Sequence, residues 1–228
     1  MGGLEGSRRD VASETSSQLE GVRPMESPRI GELGFKERPD YEFRAKYEDE
    51  YIEPLSRPAG IEPFDDPRRT VQRINPEFES GPEYQTNCAD CSRCFERTWR
   101  GSAEEAAGRR PLFVTESGDN YCEGEYQERL EEWAGAPFKP LASPDQLHDR
   151  LAGSGHGASA MIVSFGQDRN GSPYAHAYNA VNYRGQVTVV DAQEGIVPGW
   201  NSESLHPDLP SGGEHFAMAW DKEGRRIW

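Results

Sequence analysis

Three residues have types and spacing suited to covalent chemistry: Cys88, His176 and Asp191. A thiol attacks as its thiolate, so it needs a setting that favours the anion and a base to take its proton. Cys88 opens the run Asn87-Cys88-Ala89-Asp90-Cys91-Ser92-Arg93-Cys94-Phe95-Glu96-Arg97-Thr98-Trp99-Arg100-Gly101, which reads as a helix. Asn87 is a favoured N-cap type, Cys91, Phe95 and Trp99 recur at four-residue steps, and Gly101 supplies the stop. The first position of such a helix places Cys88 among unpaired amides and at the positive end of the helix dipole. The Cys88 backbone N–H is also the natural donor to an oxyanion. Gln85 and Asn87, just ahead of it, are further candidates to contact the oxyanion or the substrate.

The base and its orienting acid come from a two-strand unit. Strands over Tyr174–Asn182 and Gln186–Gln193 flank the turn Asn182-Tyr183-Arg184-Gly185. A turn centred on Tyr183 and Arg184 sets His176 directly opposite Asp191, with Tyr178, Ala180, Val187 and Val189 on the same face. The other face would carry Thr188 and Val190. Gln193 shares the face of Asp191 and is a candidate to brace it or to line the cleft. Each part has a plainer reading: a core cysteine, and a structural His–Asp pair. Together, in the order Cys, His, Asp and with a capped helix at the cysteine, the catalytic reading is the better one. His156, in a Gly-rich loop, is a rival base but reads more simply as a turn or cleft wall. His148, His206 and His215 read as surface residues.

The main competitor is metal. Cys88, Cys91 and Cys94 with Cys122 could form a four-thiolate site, but there is no second close pair of the kind structural zinc uses. Cys88 and Cys94 diverge by about 120° on a helix, so joint ligation would need the helix not to form. The zinc nucleobase deaminases need His-x-Glu and Pro-Cys-x-x-Cys, which do not occur here. Phosphate-loop and dinucleotide fingerprints are also missing. No metal or cofactor is expected.

Lys and Arg number 25 against 40 Asp and Glu, a formal net charge of −15. That balance argues against a nucleic-acid partner, which would demand cationic contacts to phosphate. No apolar run approaches the ~18 residues of a membrane helix, and the first twenty residues have no signal-peptide pattern. Four cysteines, three of them on one helix, suit free thiols in a reducing compartment better than a disulfide scaffold.

Residues 1–70 are polar and punctuated by Pro and Gly, and read as a largely disordered linker. Within them Tyr41, Phe43, Tyr47 and Tyr51 keep rough helical spacing, suggesting a short docking helix. Residues 71–228 read as one catalytic domain. A short helical turn is expected over Ser102–Gly108, a strand at Leu112–Val114, and helices over Glu123–Trp133 and from Ser143-Pro144 through Leu151. Strands follow at Ala158–Phe165 and in the two-strand unit above, with a last hairpin of Phe216–Trp220 and Arg226–Trp228. Helices followed by an antiparallel meander give an α+β domain.

Three blocks carry a resemblance: Asn87-Cys88-x-x-Cys91-Ser92-Arg93 with Phe95 to Gly101; His176-Ala177-Tyr178-Asn179-Ala180-Val181-Asn182; and Val189-Val190-Asp191-Ala192-Gln193-x-Gly195. In this order they resemble the papain-fold toxin family, the protein-glutamine deamidase modules of bacterial polymorphic toxins, over about Ile74 to Trp220. The resemblance implies a papain-like fold, its nucleophile at the N-terminus of a helix packed on an antiparallel sheet. It implies Cys88 as nucleophile, His176 as base and Asp191 as orienting acid, acting on a glutamine of a target-cell protein. It further implies secretion within a larger toxin, action in the target-cell cytoplasm and a cognate immunity protein in the producer. Cys94 stands where the family leads one to expect a small residue. The same triad could serve a papain-like protease or a transglutaminase, and a non-catalytic, thiol-rich or metal-binding interaction module is the alternative of another class.

Overall fold

The computed structural model describes residues 39–167, 171–203, 205–206 and 213–228. The first part of the chain supplies helices α1 (Pro39–Lys46), α2 (Pro67–Val71), α3 (Pro82–Gln85) and α4 (Cys88–Trp99), with the short strand β1 (Tyr51–Ile52) after α1. Next come β2 (Gly108–Arg109), β3 (Phe113–Val114), β4 (Asn120–Tyr121), α5 (Gln127–Ala134), β5 (Lys139–Pro140) and α6 (Pro144–Ser154). Four longer strands and a shorter one finish it: β6 (Ser159–Gln167), β7 (Pro173–Tyr183), β8 (Gln186–Asp191), β9 (Ile196–Gly199) and β10 (Glu214–Trp220). Six of the strands form one sheet in the order β5-β10-β6-β7-β8-β9, every pair antiparallel. Among the described residues no helix is long and apolar enough to cross a membrane.

The central strands run apolar on both faces because helices cover both. On one face Tyr178, Ala180, Val187 and Val189 pack with Leu147 and Leu151 of α6. On the other, Val181 and Val190 meet Cys91, Cys94, Phe95 and Trp99 of α4. Beside α4 on that face, Met161, Val163, Ala177 and Met218 pack with Leu130 and Trp133 of α5 and with Phe43 and Tyr51.

The β7–β8 hairpin differs from the expected register. Its turn is Arg184-Gly185, both at positive φ (54° and 89°), a pairing that matches the right-handed twist of the strands. Asn182 therefore faces Val187, not Gly185, a shift of two positions. An even shift keeps every side chain on its expected face, but His176 and Asp191 become diagonal neighbours instead of direct partners.

The expected boundary at residue 70 does not coincide with a structural one. Residues 1–38 lie outside the described residues, but α1, β1 and α2 pack into the domain: Phe43, Tyr51, Thr70 and Val71 are all buried. The reason lies in α4, where every residue from Ala89 to Trp99 is buried. A helix enclosed on all sides must pair its charges. Asp90 Oδ2 accepts from Arg44 Nη2 at 2.8 Å and from the Ala107 N–H at 2.6 Å, while Oδ1 accepts from Arg93 at 2.9 Å. Arg93 also donates to Glu125 and to the Tyr51 hydroxyl, with the Phe43 ring 4.5 Å from its guanidinium carbon. The amino-terminal segment is thus the lid over the outer side of α4.

Three smaller expectations also give way. Residues 102–107 form a loop, not a helical turn, and there the Ala106 and Ala107 N–H groups are drawn to the Ile74 carbonyl and to Asp90. Helix α5 starts at Gln127, leaving 123–126 as a loop, and ends on Gly135 in the left-handed conformation. Of the final hairpin, one bridge forms, Trp220 with Arg226.

Candidate active site

Asn87 precedes α4 as its cap residue, but its side chain makes no capping bond. It is pulled sideways into a buried amide network. Asn87 Nδ2 donates to the Ala107 carbonyl at 3.0 Å and to Asn75 Oδ1 at 3.2 Å, while its Oδ1 accepts from Gln193 Nε2 at 3.2 Å. Asn75 Nδ2 donates to the carbonyls of Tyr84 and Gln193, each at 2.9 Å. The start of α4 is therefore tied to the loop after β8, where Asp191 lies. Asn75 had no signal in the sequence, since a single Asn in a turn has many uses.

β8 ends at Asp191, and the described β7–β8 pairing runs from Tyr183↔Gln186 to Asn179↔Val190. His176 lies beyond that pairing, and Cys88 meets β7 in the same stretch: the His176 ring and the Ala177 backbone N–H are the groups there that favour its thiolate. His176 Nε2 lies 2.6 Å from Asp191 Oδ2, which leaves Nδ1 as the nitrogen for Cys88. The sequence order and the shared face thus end in one contiguous chain from thiol to imidazole to carboxylate.

Electrostatics favour an ion pair. Burial works against the thiolate, but the His176 hydrogen bond and charge, with the Ala177 N–H, outweigh it and hold the Cys88 thiol below its ordinary range. Burial likewise works against the imidazolium, and the bonds to Asp191 and Cys88 overcome it, pushing His176 up to about 10. Asp191 is opposed by burial too, yet hydrogen bonds from His176 and His206 hold its carboxyl well below the usual carboxylate range. A thiolate beside an imidazolium at neutral pH can attack an acyl carbon and protonate the group that leaves. Cys88 is partly exposed, whereas Cys91, Cys94 and Cys122 are buried. Burial raises the Cys91 and Cys122 thiols.

His206, read from sequence as a surface residue, is fully buried with Nε2 2.8 Å from Asp191 Oδ2. Its partner is fifteen residues away and its own loop gives no periodic signal, so the sequence offered no way to pair them. Gln193 is buried, and its backbone N–H donates to Asp191 Oδ1 at 2.8 Å. Gln85 is exposed and donates to the Phe78 carbonyl at 3.2 Å. His156 holds the β7–β8 turn, accepting from the Arg184 N–H at 3.1 Å, with Trp99, Phe64 and Tyr183 around its ring. His215 bonds Ser164 at 2.7 Å, and His148 lies against Trp200. Among the described residues the group able to hold a metal ion is His176, Asp191 and His206, not the cysteines. Its nitrogens sit at hydrogen-bond distance from one shared oxygen, which is the spacing of bonds through protons.

Residues 86–196 match the family described as papain fold toxin 1, glutamine deamidase. The matched span opens just ahead of Cys88, includes His176 and Asp191, and ends before His206. Over those residues the fold is that of this family, helices and an antiparallel sheet in a papain-like arrangement. Two solved structures of the Salmonella effector SpvD are similar to this chain. The form with glycine at its variant position is 15% identical, over 87% of this chain and 97% of that one, with a TM-score of 0.49. The form with arginine is 16% identical, over 84% and 97%, with a TM-score of 0.44. No curated protein matches the chain.

Proposed function

We propose that this chain, whose residues 86–196 carry the papain-fold toxin domain, converts a glutamine side chain of a target-cell protein to glutamate and ammonia. The observation that carries the reading is the 2.6 Å bond of His176 to Asp191, beside a thiol at the first position of a buried helix whose anion His176 favours. The Cys88 thiolate adds to the amide carbon, and the C=O electron pair moves to oxygen, held by the Cys88 N–H. The oxyanion then collapses, the C–N bond breaks, and His176 gives its proton to the departing nitrogen, releasing ammonia. His176, now neutral, takes a proton from water, whose oxygen attacks the thioester. The thiolate is expelled with the proton kept on His176, and glutamate leaves. Asn87 and Gln193 brace this machinery through the buried bond between them.

In this reading the chain is the acting end of a larger secreted toxin. It works inside another cell, and its producer is guarded by an immunity protein. The test is peptide mapping of target-cell proteins after incubation, with ammonia assayed in parallel and Cys88→Ala as control. A Gln-to-Glu mass change dependent on Cys88 is expected. Cut chains, or glutamine–lysine cross-links, would overturn deamidation in favour of proteolysis or transglutamination by the same triad.

A further inference from the structure

Asp191 is fully buried and accepts four hydrogen bonds. Oδ1 takes the Gln193 N–H at 2.8 Å and the Glu194 N–H at 3.2 Å; Oδ2 takes His176 Nε2 at 2.6 Å and His206 Nε2 at 2.8 Å. Four donors fill the capacity of a carboxylate, so its plane and rotation are set. Two are backbone amides that any sequence would provide, and one is the base itself. The fourth comes from a distant loop, on a residue with no measurable exposure. The His206 ring also packs edge-on to His176 and against Tyr178, both at 5.1 Å, while His176 stacks on Tyr178 at 5.7 Å. One ring therefore touches both the acid and the base.

We infer that His206 is a positioning residue: it holds Asp191 in the one orientation that keeps His176 against Cys88. The inference rests on the triad proposed above, not on which amide that triad cleaves. Without His206, Oδ2 loses a donor in a site closed to water, Asp191 supports the imidazolium less, and the thiolate forms at higher pH.

The test needs no substrate. Iodoacetamide alkylation of Cys88 in the full chain is followed from pH 4 to 9 by peptide mapping, with folding checked by circular dichroism. His206→Ala is expected to move the acid limb up by about one pH unit and slow alkylation at pH 6 roughly tenfold. His206→Gln, which keeps a donor at similar reach, is expected to stay within about threefold of the parent. In an Asp191→Asn background, removing His206 is expected to cost nothing further. His206→Ala with the parent's rate and profile would overturn the inference. So would an equal loss in the Asp191→Asn background, which would make His206 a packing residue. If His206→Ala does not fold, the Gln variant decides: a tenfold loss there sinks the idea. His176→Ala separates the two readings, since parent-like alkylation in that variant would remove the triad itself.

Discussion

Gln193 and Asn87 share a buried hydrogen bond, Nε2 to Oδ1 at 3.2 Å, across 106 residues of sequence. It ties the start of the helix that carries Cys88 to the loop that holds Asp191, because the next bond along is from the Gln193 N–H to Asp191. A nucleophile and base on separate elements react well only if their separation is held to a fraction of an ångström.

Asn87→Ala should therefore affect both stability and reactivity. It strips partners from Gln193, Asn75 and the Ala107 carbonyl in a buried site, a loss of about 1–3 kcal/mol. Urea unfolding would show this as a lower midpoint with an unchanged slope. Gln193→Ala should do less, and the double variant should lose less than the sum of the two, since both delete the same contact. Strict additivity would mean the bond does not couple the two elements.

The charges of α4 make a second prediction. Asp90 has no water to return to when its partners go, so Arg44→Ala leaves a buried carboxylate short of one cation. Removing one partner of such a pair costs about 3–5 kcal/mol. Deleting residues 1–70 removes Arg44, Phe43 and Tyr51 at once, and the remainder should be soluble in poor yield and bind a hydrophobic dye. A truncated chain as stable as the parent in urea would show that the lid contributes nothing.

The third prediction concerns pH. His176 is raised from its ordinary value to about 10, so its proton is held through neutrality and lost as pH rises through about 10. In the proposed reaction the imidazolium protonates the departing amide nitrogen, so the alkaline limb of amide hydrolysis should lie near there instead of near 6.5. In Cys88→Ala the ring loses the thiolate that helps raise it, and its NMR titration should move down. Titration at an ordinary histidine value in the parent would rule out the ion pair.

The helix at Cys88 was legible because its apolar residues recur at one period and its ends carry a stop signal. The face shared by His176 and Asp191 was legible for a subtler reason. The turn was placed wrongly, yet a register shift of two residues preserves which side each residue faces. His206, Asn75 and Arg44 were not legible. Each is a lone polar residue whose partner lies far away in sequence, and nothing local separates a polar residue that will be enclosed from one that will be solvated. Residues 39–70 misled in the same way: buried ion pairs in the structure look like solvated charges in the sequence.

The turn itself offers the cleanest separation of fold from site. Arg184 and Gly185 sit at φ 54° and 89°, where a side chain crowds its own backbone. No atom lies within 4 Å of a Cβ built on Gly185, so Gly185→Val carries backbone strain and no clash. The strain should cost about 1–2 kcal/mol. Arg184→Gly should recover a few tenths to about 1 kcal/mol, offset in part by a freer unfolded chain. The turn lies at the far end of the hairpin from His176, with its own anchors: the His156 ring at the Arg184 N–H, and Asn182 Oδ1 accepting from the Gly185 N–H at 2.8 Å. Gly185→Val should therefore lower the unfolding midpoint and leave the pH profile of Cys88 alkylation where it was. A shifted profile would mean that strain in the turn travels the length of β7, and that the triad is not insulated by the pairing between them.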